Sequence, residues 1–258
     1  MNLELIGIVV VVGMLLGMLG TLEIGRRLGT RRMAEDPDGA KAGAGAVEAA
    51  VFGLMGLLIG FTFSGASARF DARRGLLVEE ANCIGTAWLR LDLLPASAQP
   101  ALREKLRQYT DARLAVFRKI PDVEAAKIEL DRAALLQNEI WTQTLAACRE
   151  SGESSTRVLL VPALNQMFDM AATRTLGVKM HPPMIIYAML AVLLLASSLL
   201  AGYDMGAGKG RSWFHSFAFV VVISLTFYVI LDFEFPRIGI IRIHNFDQVF
   251  VDLRQSMK

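Results

Sequence analysis

Four stretches of the chain are apolar for long enough to cross a membrane. A long segment with helical periodicity separates the second from the third. Leu5 to Leu22 carries no charge between Glu4 and Glu23. The second stretch, about 47–67, contains Val51-Phe-Gly-Leu-Met-Gly-Leu-Leu-Ile-Gly60 and turns polar at Phe61-Thr-Phe-Ser-Gly-Ala-Ser67. Met184 to Tyr203 follows Pro182-Pro183, and the fourth runs from about residue 214 to Leu231 with aromatic residues near both ends, as at a membrane interface. The predicted class is an all-α membrane protein with four transmembrane helices. The second continues into a soluble helical bundle inserted between spans two and three. The expected divisions are 1–67, a transmembrane hairpin; 68–182, the soluble helical domain; 183–235, a second hairpin; and 236–258, an amphipathic tail.

The organising element is Val47 to Leu94. No proline interrupts it before Pro95, so it is predicted as one continuous helix. Such a helix is on the order of 70 Å long, more than twice a hydrocarbon core of roughly 30 Å. Beyond the membrane, Leu77, Ala81, Ile84, Trp88 and Leu91 form an apolar stripe spaced 4, 3, 4, 3, a helix-packing seam. Three further helices are predicted near 99–120, 123–149 and 155–178. Their inward residues are Leu102, Leu106, Tyr109, Val116, Phe117 and Ile120; then Ile128, Leu135, Trp141 and Leu145; then Leu159, Leu160, Leu164, Phe168 and Leu176. Pro162 is expected to kink the last or mark its first turn. About 110 residues suffice for a bundle core. The tail, mixing Ile240, Phe246, Phe250 and Leu253 with charges, reads as a segment packed on the bundle or lying on lipid.

The 258 residues are 53% hydrophobic and the mean hydropathy is +0.43, which fits a mixed membrane and water-soluble protein. A net charge of +2 carries no nucleic-acid footprint. Arg26, Arg27, Arg31 and Arg32, in place of a small-residue cleavage site, follow the first span, so it reads as retained. Four spans put both termini and the bundle on one side. Arginine and lysine in the short loops place those loops in the cytoplasm and the bundle outside. Cys83 and Cys148 have no metal-site spacing; two free thiols or one disulfide are both open.

Small residues mark possible close approaches. Gly13 and Gly17 have the spacing that lets membrane helices pack tightly. Gly56, Gly60, Ser64 and Ala68 recur every four residues on one face of the second span. This face either packs on another helix or, with Thr62 and Ser67, lines a polar pathway. Arg69, Arg73 and Arg74 leave the membrane on the same side as Asp232, Glu234 and Arg237. They either pair and anchor two helices or ring a pore mouth, where carboxylates gather cations and arginines gather anions. No nucleophile elbow, phosphate loop or zinc motif is present, and His181, His215 and His244 are far apart in sequence. No enzymatic activity, metal or cofactor is expected.

Gly60-Phe-Thr-Phe-Ser-Gly-Ala-Ser-Ala-Arg-Phe-Asp-Ala-Arg-Arg74, then Val78-Glu-Glu-Ala-Asn-Cys-Ile-Gly-Thr-Ala-Trp-Leu-Arg90 and Asp92-Leu-Leu-Pro95, resemble the signature of an uncharacterised bacterial membrane-protein family labelled bestrophin-like domain. Glu79, Glu80, Asn82, Gly85 and Thr86 stand in that motif. Ile230-Leu-Asp-Phe-Glu-Phe-Pro-Arg-Ile-Gly239 resembles a second signature, with Phe235 where the family pattern has a charge and Cys83 where it has alanine. The resemblance implies an oligomeric channel with four membrane helices per subunit and a large helical region in the cytosol, opposite to the side the loop charges favour. No bestrophin site residue maps onto this chain. The functional expectation is a homo-oligomeric channel for small inorganic ions in the bacterial inner membrane, lined by the second span. The alternative is a non-conducting scaffold or sensor whose helical domain binds a protein partner.

Overall fold

The computed structural model describes residues 3–37, 44–120, 122–207, 213–235 and 247–258. Among them there is no strand. The helices are α1 (Leu3–Glu35), α2 (Ala44–Arg90, followed by the 3-10 turn Leu91–Leu93), α3 (Gln99–Arg118), α4 (Val123–Ser151), α5 (Ser154–Lys179), α6 (Met184–Ala207), α7 (Trp213–Glu234) and α8 (Gln248–Ser256). Four stretches are long and apolar enough to cross a membrane: Gly7–Glu35, Gly45–Leu93, Ser154–Gly206 and Phe214–Glu234. In the third, the charge-free part is Met184 to Tyr203, within α6. The chain divides into two units. One is built from 1–69 with 181–235, the other from 70–180 with 236–258.

The first unit holds α1, the first half of α2, α6 and α7. Its core joins Met14, Met18 and Leu22 of α1 to Leu190 and Leu194 of α6 and to Val220, Phe227 and Ile230 of α7. Glycine decides how α1 meets α6. A β-carbon at Gly25 would fall within the Leu199 carbonyl and one at Gly29 within that of Tyr203. A β-carbon at Gly202 would strike the Leu22 carbonyl, and one at Gly206 that of Arg26. Residue numbers rise together on both helices, so α1 and α6 run parallel, as first and third spans must. The predicted approach at Gly13 is not where they touch: nothing lies within 4 Å of a β-carbon there, and at Gly17 it meets only Leu195 Cδ2 at 3.2 Å. Gly25 and Gly29 lie beyond the apolar run, where α1 continues past its expected end at Leu22. Two edge-on ring pairs link α2 to α7: Phe52 with Phe219, 6.1 Å between centroids, and Phe63 with Phe233, 5.7 Å.

The second unit packs the rest of α2 with α3, α4, α5 and α8. Leu77, Ala81, Ile84, Trp88 and Leu91 are all buried in it, as are Leu106, Tyr109, Ile140, Leu160 and Leu164. Asp122 caps α4 by accepting the Ala125 N–H at 3.0 Å, and Gly152, at φ 65°, ends it in the left-handed region. α5 runs on through Pro162. Of the inward face expected of α4, Ile128 and Leu135 are exposed while Trp141 and Leu145 are half-buried, Trp141 edge-on to Phe168; the buried side is Ala126, Ala133, Leu136, Ile140 and Ala147. Alanines let the helix approach its neighbours closely, with Leu136 and Ile140 filling the core and Ile128 and Leu135 left outside. Leu159 and Leu176 of α5 are likewise exposed. From the tail, α8 packs on α3: Arg107 Nε donates to the Met257 carbonyl at 2.9 Å and Arg254 Nε to Asp111 at 2.8 Å. Phe250 of α8 is fully buried, whereas Ile240 and Phe246 lie outside the described residues.

Candidate functional site

Helix α2 carries most of the candidate residues, and its two faces do different things. The inward face holds the second unit together around Glu80, which is fully buried. Arg113 Nε of α3 donates to Glu80 Oε1, and Arg174 Nη1 of α5 donates to Oε2 at 2.8 Å. Arg113 also donates to the Ala171 carbonyl at 3.1 Å and to Thr175 Oγ1 at 3.3 Å. Burial pulls the Arg113 pKa down, but the adjacent Glu80 carboxylate more than offsets this and holds it above its usual value. The Arg174 guanidinium lies over the Phe117 ring, 3.6 Å from its centroid, with Phe250 of α8 at 4.9 Å. Aromatic faces stabilise a second buried cation beside a single carboxylate. Burial pushes the neighbouring Tyr109 phenol up, and Gln137 donates to its hydroxyl at 3.2 Å.

Both arginines occupy core positions of their helices. Arg113 follows Leu106 and Tyr109 and precedes Val116 and Phe117 on the buried stripe of α3; Arg174 extends Leu160, Leu164, Met167 and Ala171. A charge in that phase was the available signal for the triad.

In the first unit a second buried carboxylate, Glu234 at the end of α7, draws three segments together. Arg69 of α2 reaches its Oε2 from Nη2 at 2.8 Å, and His181, just before α6, meets Oε1 through Nδ1 at 2.9 Å. The His181 ring stacks on Phe235 at 4.8 Å. Asp232 is also buried, 4% exposed. Of the exit charges, Arg69 and Glu234 thus pair with each other, while Arg73 and Arg74 have other partners. Arg73 donates to the carbonyls of Gly177, at 3.4 Å, and Met180, at 3.0 Å, where α5 ends. Arg74 pairs with Asp71 at 3.1 Å. Arg237 lies outside the described residues, as does His244.

The outward face of α2 is uncovered. Only 6% of its apolar stretch is buried, against 28% for α7. Gly53, Gly56, Gly60, Ser64 and Ala68 are exposed, and a β-carbon at any of the three glycines would meet nothing within 4 Å. Ser67 sits half-buried at the edge of this column. Thr62 does not belong to it: two residues from Ser64, it lies about 160° round the helix. Its hydroxyl donates to the carbonyls of Leu58 at 2.8 Å and Ile59 at 3.0 Å. Further along, Asp71, Gly75, Val78, Glu79 and Asn82, with Arg74, line an open groove of about 480 Å³. The motif residues thus divide. Glu80 points inward; Glu79, Asn82 and Thr86 point outward. Gly85 is half-buried, and its β-carbon would meet Leu253 Cδ1 at 3.3 Å.

Cys83 and Cys148 are buried free thiols, and burial pushes the Cys148 thiol up. Among the described residues, no three histidine, cysteine or acidic side chains are placed to hold a metal ion. No protein-family model, curated protein or solved structure matches the chain.

Proposed function

We propose that the chain is one subunit of a homo-oligomeric, bestrophin-like channel for small inorganic ions in a bacterial inner membrane. Its second span faces the ion pathway. Residues 68–182 form a soluble helical bundle between spans two and three, on the same side as both termini. The observation that carries this reading is the uncovered column Gly53, Gly56, Gly60 and Ser64. Each glycine inside a helix costs about 1 kcal/mol relative to alanine. On α1 and α6 that cost is offset by backbone contact; on α2 nothing among the described residues offsets it. Lipid gains nothing from a glycine column, whereas a neighbouring helix or a narrow water path does. Glu234 and Arg69 serve as the anchor that holds α2 against α7.

Reconstitution of the purified protein in a planar bilayer under a salt gradient tests the reading. The expected result is a current whose reversal potential shifts from zero, with the sign of the shift giving the sign of the permeant ion. Absence of current over the full range of voltage, pH and calcium would count against it.

A second reading is favoured by a different observation. Ile128, Leu135, Val158, Leu159 and Leu176 of α4 and α5 are exposed. Apolar side chains left outside a helical bundle suit a scaffold or sensor that binds a protein partner.

A further inference from the structure

The outward face of α2 has a period of its own. From Leu54 to Asn82 the exposed positions alternate by three and four residues, through Ser64, Asp71 and Val78; the next step falls on the half-buried Gly85, and the one after it on the exposed Leu89. This is the a/d spacing of a coiled coil, about 120° round the helix from the seam that the bundle uses. Val78 is 39% exposed and Leu89 68% exposed, and Asn82 lies between them at an a position. Counting from Gly75 as a, Arg74 is a g position and Glu79 the following e position, five residues on. In parallel coiled coils g pairs with e of the neighbour, and here the two charges are opposite.

We propose that the part of α2 beyond Arg69 docks on the same part of α2 in a second copy of this chain, parallel and level. This rests on the oligomeric reading above and names the surface and register of the contact. Copies anchored in one membrane with one orientation meet residue to like residue at equal depth. Asn82 then faces Asn82, and an asparagine at an a position fixes register at some cost in stability. Arg74 meets Glu79 of the neighbour while keeping Asp71, its own-chain partner at 3.1 Å, within reach. The small Gly75 lets the backbones approach between the Asp71 and Val78 layers.

The test is oxidative crosslinking in native membranes with single substitutions Val78→Cys and Leu89→Cys. Both positions are exposed, so the fold tolerates the change, and the wild type with its buried Cys83 and Cys148 is the blank. Asp131→Cys, exposed on α4, is the off-seam control. The seam cysteines are expected to give covalent dimers far faster than the control. Arg74→Glu in the Leu89→Cys background should slow crosslinking by about fivefold, and adding Glu79→Arg should restore it. Crosslinking no faster than at residue 131, or a rate indifferent to both charge changes, would overturn the proposal. Crosslinking without any current would overturn the channel and leave this interface standing; current without crosslinking would do the reverse.

Discussion

Arg174 and Glu80, 94 residues apart, meet at 2.8 Å with Arg113 on the other carboxylate oxygen. This contact ties α2 to α3 and α5 at one buried point. Removing one member of a buried charge group leaves the others desolvated and unpaired, which costs about 3–5 kcal/mol. Glu80→Ala should therefore lower the midpoint of thermal unfolding sharply and expose the second unit to limited proteolysis. Glu79→Ala, one residue away but outward, should change neither.

The glycine faces of α1 and α6 make a different demand. Gly25 and Gly202 admit no β-carbon without moving the facing backbone, whereas Gly56 has open space. Gly202→Ala should destabilise the first unit by overpacking, about 1–3 kcal/mol. Gly56→Ala should leave the stability of a single subunit unchanged or slightly raised. Thermal unfolding in detergent, with assembly state followed alongside, separates the two.

How far the chain could be read follows from where each signal sits. The four apolar runs were legible because a membrane demands some twenty consecutive apolar residues. The inward stripe of α2 was legible because its residues are large and apolar. The buried side of α4 was not, since alanine carries little hydrophobic weight and Ile128 and Leu135 outweighed it. Gly25 and Gly29 flank Arg26 and Arg27, so the pattern read as a charged exit and not as a packing face. The partners of Glu80 come from helices 33 and 94 residues away, and nothing local links them. The outward column of α2 was visible in sequence, but only the packed chain shows that no other described residue covers it.

Arg69 and Glu234 yield another prediction. Glu234 is fully buried, and Arg69 is the cation held against its Oε2. Arg69→Ala strands a buried carboxylate and should cost about 3 kcal/mol or more. Arg69→Lys, which keeps the charge but loses the guanidinium fork, should recover only part of that. Expression level and unfolding midpoint in detergent would report both.

Burial raises the Cys148 thiol above its ordinary range, so less of it is thiolate at any given pH. Its alkylation in the folded protein should become appreciable only at a pH above that of a free thiol, about 8.5. Unfolding in SDS should bring the reaction to the ordinary rate. Rapid labelling of native protein at neutral pH would contradict the buried placement.

The central proposal is that, within the membrane, one face of α2 looks onto water and the other onto protein. Ser64→Cys and Thr62→Cys, about 160° apart on the helix, separate the two faces directly. In reconstituted membranes, a small charged thiol reagent should modify Ser64→Cys and alter the current, and should leave Thr62→Cys untouched. Modification of Thr62→Cys alone, or of neither in any condition, would contradict the account.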